Sequence, residues 1–164
     1  VPVESTELFI NVRQAAIPRI AEIAQAAQAM LAEVGLNVSV KIQESSIYNP
    51  EYGQKPGPDR NYITMHPIGN DFMDAASSFQ TYATCDRGTS GICDKELDKM
   101  ISEAARITGK ERTAALQNIS GYIQDNAYMG FIGHLDLAYG ISERVNWDVP
   151  LDHRFIVRQM TLTD

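Results

Sequence analysis

The stretch "IAEIAQAAQAMLAEVGLNVSVKIQ", Ile20 to Gln43, decides the fold. Its first part carries Ile20, Ile23, Ala24, Ala27, Leu31 and Val34 at spacings of three and four, which puts them on one stripe of a helix. Gly35 stands where a left-handed C-cap is needed. The period then changes. Leu36, Val38, Val40 and Ile42 alternate with Asn37, Ser39, Lys41 and Gln43, the pattern of a half-buried strand. Upstream, "TELFINV" (Thr6 to Val12) is a β-rich run, and Pro18 suits the first turn of the helix that follows. Strand, helix and strand in this order predict a parallel βαβ unit with a right-handed crossover.

Downstream, "ESSIYNPEYGQKPGPDR" (Glu44 to Arg60) is expected to be a long loop, because its prolines and glycines interrupt any period. A loop of that length is either functional or a surface excursion, and the sequence leaves both open. "NYITMH" (Asn61 to His66) returns to strand character, and "PIGND" turns the chain. Phe72, Ala75, Ala76 and Phe79 are spaced for one face of a short helix. Asp94 is a good N-cap for a helix bearing Leu97, Met100, Ile101, Ala104 and Ala105. Gly109 separates this from a second helix bearing Leu116, Ile119 and either Tyr122 or Ile123. Phe131, Leu135, Leu137 and Tyr139 suggest one last strand. The fold class expected is α/β, with helices packed on a mixed sheet.

With 164 residues, 44% of them hydrophobic and 21% charged, the chain can build a core of its own. Its net charge of -7 and the lack of any basic run give it no footprint for nucleic acid. No apolar run approaches the roughly 18 residues of a membrane span. The opening "VPVESTELF", without Met, reads as the middle of a longer protein.

The two cysteines, Cys85 and Cys93, bracket a small Gly- and Ser-rich loop. They could hold a metal, form a redox couple or staple the loop. Their spacing is not C-x-x-C and no histidine lies nearby, while Gly88 and Gly91 allow a tight reversal. A disulfide is therefore expected, stabilising by about 2–3 kcal/mol on a chain-entropy account. It implies an oxidising compartment. His66, His134 and His153 fall in different elements, and no metal or cofactor is expected. Ser5, Ser45, Ser46, Ser77 and Ser90 show no nucleophile elbow, and no Gly-rich phosphate loop occurs. No catalytic residue is expected. In "IGNDFMDAASSF" (Ile68 to Phe79), Asp71 and Asp74 sit between a strand and a helix. From spacing alone, Asn70 or Asp71 caps that helix and Asp74 favours its first-turn dipole.

The helix ending in Leu31-x-x-x-Gly35 and the alternating strand after it resemble the extracytoplasmic solute-binding proteins of ABC importers, closest to the peptide/nickel-type family 5. "SGICDKELDKMISEAARITGKERTAALQNISGYIQDNAYMGFIGHLDLAYGISERVNWDVP" continues the likeness: a Cys-Asp-x-x-x-Asp helix start, a second helix containing Glu-Arg, then "ISERVNW". The resemblance covers nearly the whole chain and is specific to the family rather than to a cargo. It implies the C-terminal lobe (residues 1–140) of a periplasmic two-lobed protein, with residues 141–164 as a tail returning toward a first lobe. Peptide would be captured between the lobes and passed to membrane permease subunits. The resemblance also makes Asp71 the partner of a peptide α-ammonium group. Tyr48, Tyr52, His66, Asn70, Asp71 and Asp74 are the expected cleft wall. Ile68, Ala75 and Tyr128 stand where relatives often carry Trp, Pro and Pro. Other solutes of the family are the alternative cargo: a nickel chelate, an opine or an oligosaccharide. A standalone hydrolase or metalloenzyme would instead need the scattered histidines and acids to converge.

Overall fold

Leu8–Arg13 forms β1, the centre of a three-stranded parallel sheet in the order β2-β1-β3. β2 is Val38–Gln43 and β3 is Tyr62–Met65. The computed structural model describes residues 8–53, 62–70, 72–150 and 154–163. Between β1 and β2 runs α1, Ile20–Glu33. It ends at Gly35, whose φ of 84° lets the Gly35 and Leu36 amides turn back onto the carbonyls of Ala32 and Leu31. Pro18 lies in the turn before α1 rather than in its first turn, and Arg19 leads into the helix at φ 60°.

The predicted loop at 44–60 is corrected over its first half. Ser45–Tyr52 is a helix, α2, with Pro50 inside it. An eight-residue helix has few internal hydrogen bonds to lose, and burying Tyr48 completely offsets the one Pro50 removes. Residues 54–60 lie outside the described part.

The register shows that α1 and α2 take opposite faces of the sheet. Leu8, Ile10, Val12, Val38, Val40 and Met65 share one face and pack with Ile20 and Ala24 of α1. The alternate residues Asn11, Lys41 and Tyr62 meet α2, where all three engage Glu51. Because each connection crosses by a helix, the strands are parallel. The expectation of a mixed sheet fails on this point.

A second core is helical. It comprises α3 (Ala75–Tyr82), α4 (Lys95–Ala104) and α5 (Gly109–Asp125), packed through Phe79, Ile92, Leu97, Ile101, Ile119 and Ile123. Ile123 faces this core directly and Tyr122 packs at its edge. Phe72 precedes α3 and is exposed rather than on its apolar face. Cys85 and Cys93 are joined in a disulfide, and the stapled loop is tied down by Asp98, which accepts from the Cys85 amide at 3.0 Å. Gly88 of that loop rests against Gly53 at the end of α2, so closely that a Cβ would overlap the Gly53 carbonyl.

The strand expected over Phe131–Tyr139 is absent. Phe131, Leu135 and Leu137 are exposed, glycines interrupt the segment at 130, 133 and 140, and no described strand offers it a ladder. A strand exists only by pairing. Further on, β4 (Val145–Asn146) pairs antiparallel with β5 (Thr161–Leu162). Beside them Trp147 meets Tyr139 and Phe155 edge-on.

Candidate functional site

In an open parallel sheet of this winding, side chains converge on ligand at the carboxyl ends of the strands, where the strand order reverses. Here that point lies between β1 and β3, so Arg13 and His66 stand at its two sides. His66 is the first residue beyond β3 and sits in a group of rings. Tyr52 stacks on it with centroids 4.6 Å apart, Tyr48 stacks on Tyr52 at 5.4 Å, and Tyr82 of α3 tilts against it at 6.0 Å. The fold thus brings together three of the expected wall residues, Tyr48, Tyr52 and His66. Tyr48 lies wholly buried beneath the group, while Tyr52 and His66 are half-buried at its surface.

Burial, and after it the charge of Arg13, hold the His66 imidazole below its ordinary pKa. The ring is neutral at neutral pH and can offer either a donor or an acceptor.

Asn70 and Asp74 belong to the turn leading into α3, and they are engaged otherwise. Asn70 Oδ1 accepts from the Asp74 amide at 3.0 Å. Asp74, not Asn70, is the N-cap of α3, accepting from the Ala76 amide at 3.0 Å. Its two carboxylate oxygens also receive Arg112 Nη2 of α5, at 3.0 and 2.8 Å. That hydrogen-bonded guanidinium, chiefly, lowers the Asp74 pKa. Asp71 lies outside the described residues, as does His153. Alongside this turn, Gly69, Phe72, Ser77, Ser78, Thr81 and Tyr82 line a shallow depression of about 220 Å³.

The sequence reading passed over three polar residues of the α2-facing side: Asn11, Arg13 and Gln43. Asn11 is fully buried within a strand, and its Oδ1 has no hydrogen-bond partner among the described residues. Arg13 Nε, Gln43 Oε1 and His66 Nδ1 are likewise buried and unpartnered there. Asn11 and Arg13, alternating with Ile10 and Val12 in "LFINVR", were the available signal. It was masked by the apolar residues between, which decide the strand.

The arrangement suits recognition: rings for stacking, a cation, and amides with open valences. Among the described residues no three His, Cys, Asp or Glu side chains gather so as to hold a metal ion. No described helix is long and apolar enough to cross a membrane. No family model matches the chain, and no curated protein matches it.

Proposed function

We propose that the chain is a lobe of an extracytoplasmic solute-binding protein feeding an ABC importer, with peptides as the cargo. The observation that carries this reading is the polar and aromatic face at the switch point of the sheet, where Arg13, His66, Tyr52 and Tyr82 are all half-buried. The depression of about 220 Å³ that adjoins this face at Tyr82 is small beside the roughly 300–1,000 Å³ that enclose a typical small ligand. Such a face works as one wall of a cleft whose other wall is a second lobe. The exposed apolar run from Phe131 to Leu137, with Phe155 and Val157, supplies surface for that second lobe to cover. Asp71 is the anchor for the peptide amino terminus, as the family resemblance implies. The Cys85–Cys93 disulfide suits the oxidising periplasm where such proteins meet their permease.

Calorimetric titration with trialanine tests the reading. An affinity near 1 μM corresponds to about -8 kcal/mol, and one wall supplies only part of it, so residues 1–164 alone should bind at about millimolar or weaker. The complete two-lobed protein should bind tightly and lose most of that affinity on Asp71→Asn. Submicromolar binding by residues 1–164, or cleavage of the peptide, would contradict it.

A further inference from the structure

The loop stapled by Cys85 and Cys93 reaches both carriers of the rings that flank His66. α2 carries Tyr52 and packs on β1 of the sheet, while α3 carries Tyr82 and packs on α4 of the helical core. The two rings therefore stand on different cores, and their spacing about His66 depends on how those cores are tied together. The loop meets each carrier at the residue beside its ring. Gly88 rests on the carbonyl of Gly53, which follows Tyr52. Thr89 Oγ1 donates to the carbonyl of Thr81, which precedes Tyr82, at 2.7 Å.

The loop is itself firmly held. The disulfide closes it, and Asp98 accepts from the Cys85 amide. The fully buried Ser90 hydroxyl donates to the Ile92 carbonyl at 2.9 Å and accepts from the Ile92 amide at 3.1 Å. Ile92 lies in the helical core. Nor does the backbone call for a glycine at 88, since its φ lies outside the left-handed region that Gly35 occupies. The approach to Gly53 calls for it. A Cβ there would overlap main chain, which cannot swing aside as the end of a side chain can. Gly91, in the same loop, has open space where its Cβ would stand.

We propose that the stapled loop is a strut that positions the rings about His66, with Gly88 setting the place of Tyr52 and Thr89 the place of Tyr82. Both are positioning residues, acting through Gly53 and Thr81. A strut makes the stack ready-formed, so a ligand does not have to order it on binding. What the rings bind rests on the reading of this face as a solute-cleft wall; the strut is tested without solute.

The test is nuclear magnetic resonance on the 164-residue chain, reading Overhauser contacts from the His66 ring to Tyr52 and to Tyr82. The parent should show both, in keeping with centroids 4.6 and 6.0 Å away. Gly88→Ala should weaken the contact to Tyr52 and keep that to Tyr82. Thr89→Val should do the reverse, and Thr89→Ser should restore the parent pattern. Gly91→Ala is the control and should change neither. Lost stability lowers the folded fraction without singling out one ring, and thermal melts show that each variant is folded. Trialanine at millimolar excess is then added, and Gly88→Ala should bind it about tenfold more weakly than the parent. If the variants move their rings but trialanine perturbs no ring in the parent, the strut stands and the cleft wall falls. If trialanine perturbs the parent's rings while Gly88→Ala or Thr89→Val leaves its own ring in place, the wall stands and the strut is overturned. Should Gly88→Ala fail to fold, the threonine pair decides: equal Tyr82 contacts in Thr89→Val and Thr89→Ser overturn the proposal.

Discussion

The two cores of the molecule treat their polar groups in opposite ways. In the helical core every prominent acid is used locally. Asp94 caps α4 through the Glu96 and Leu97 amides and also accepts the Tyr122 and Tyr128 hydroxyls at 2.9 and 2.7 Å. Asp98 holds the stapled loop, and Asp74 joins the start of α3 to α5. In the sheet, the α2-facing side keeps Asn11, Arg13, Gln43 and His66 with buried atoms that have no partner among the described residues. Two of the turns at its carboxyl rim also hold Ala15, Arg19 and Met73 at positive φ, against Ala127 after α5 in the helical region, a conformation costing roughly 1–2 kcal/mol for a residue with a Cβ. One region is built for stability. The other gives stability up at one edge, as binding surfaces do.

That contrast can be broken by mutation, and the largest effect belongs to the helical core. Leu97 is fully buried there, so Leu97→Ala should destabilise by about 2–5 kcal/mol in a urea melt. Next comes the staple. Replacing both Cys85 and Cys93 by Ser should cost about 2–3 kcal/mol, and native peptide mapping without reductant should recover the two halves linked. An equal melt for the double variant would show that the Asp98 contacts alone hold the loop.

Acid should act on the helical core at its caps. Hydrogen bonds from Tyr128 and Tyr122 hold the Asp94 carboxyl below its ordinary pKa, and Arg112 does the same for Asp74. A depressed folded value means the stabilisation is fully present above the ordinary carboxylate pKa of 3.8 and is lost as pH falls below it. Melts between neutral pH and pH about 3 should show this loss, and Asp94→Asn should flatten it. A variant as acid-sensitive as the parent would remove Asp94 from the account.

The smallest expected effect is the most telling about the sheet. Arg13→Gln breaks no ion pair and no hydrogen bond at Nε among the described residues, so its stability should stay within about 0.5 kcal/mol of the parent. A loss as large as that of Leu97→Ala would mean Arg13 is structural.

Much of the fold was legible because it depends on local period. The α1 stripe from Ile20 to Leu31, the Gly35 cap, a strand at β2 and the Asp94 cap all follow from neighbours in sequence and appear. Val34, Leu36 and Ile42, expected on the apolar side, are instead exposed, and Gln43, expected on the polar side, is buried. The failures share a cause. Phe131–Tyr139 has apolar residues for a strand but no ladder to join, and α2 forms despite Pro50 because Tyr48 finds a buried place on the sheet. Both outcomes rest on contacts distant in sequence. The site was half legible for the same reason. Tyr48, Tyr52 and His66 could be named from an unusual loop and its flank, whereas the row Gln43–Arg13–His66 exists only once three strands are in register.

The claim at the centre is that solute meets this molecule at the carboxyl rim of the sheet, on the α2 side. An amide chemical-shift map of the 164-residue chain, recorded with trialanine at millimolar excess, tests it most directly. The account predicts perturbations gathered around Arg13, Gln43, Tyr52, His66 and Tyr82, with the helical core silent. Perturbations centred instead on the groove of about 440 Å³ between α3 and α4, lined by Arg87, Asp98 and Arg106, would contradict it.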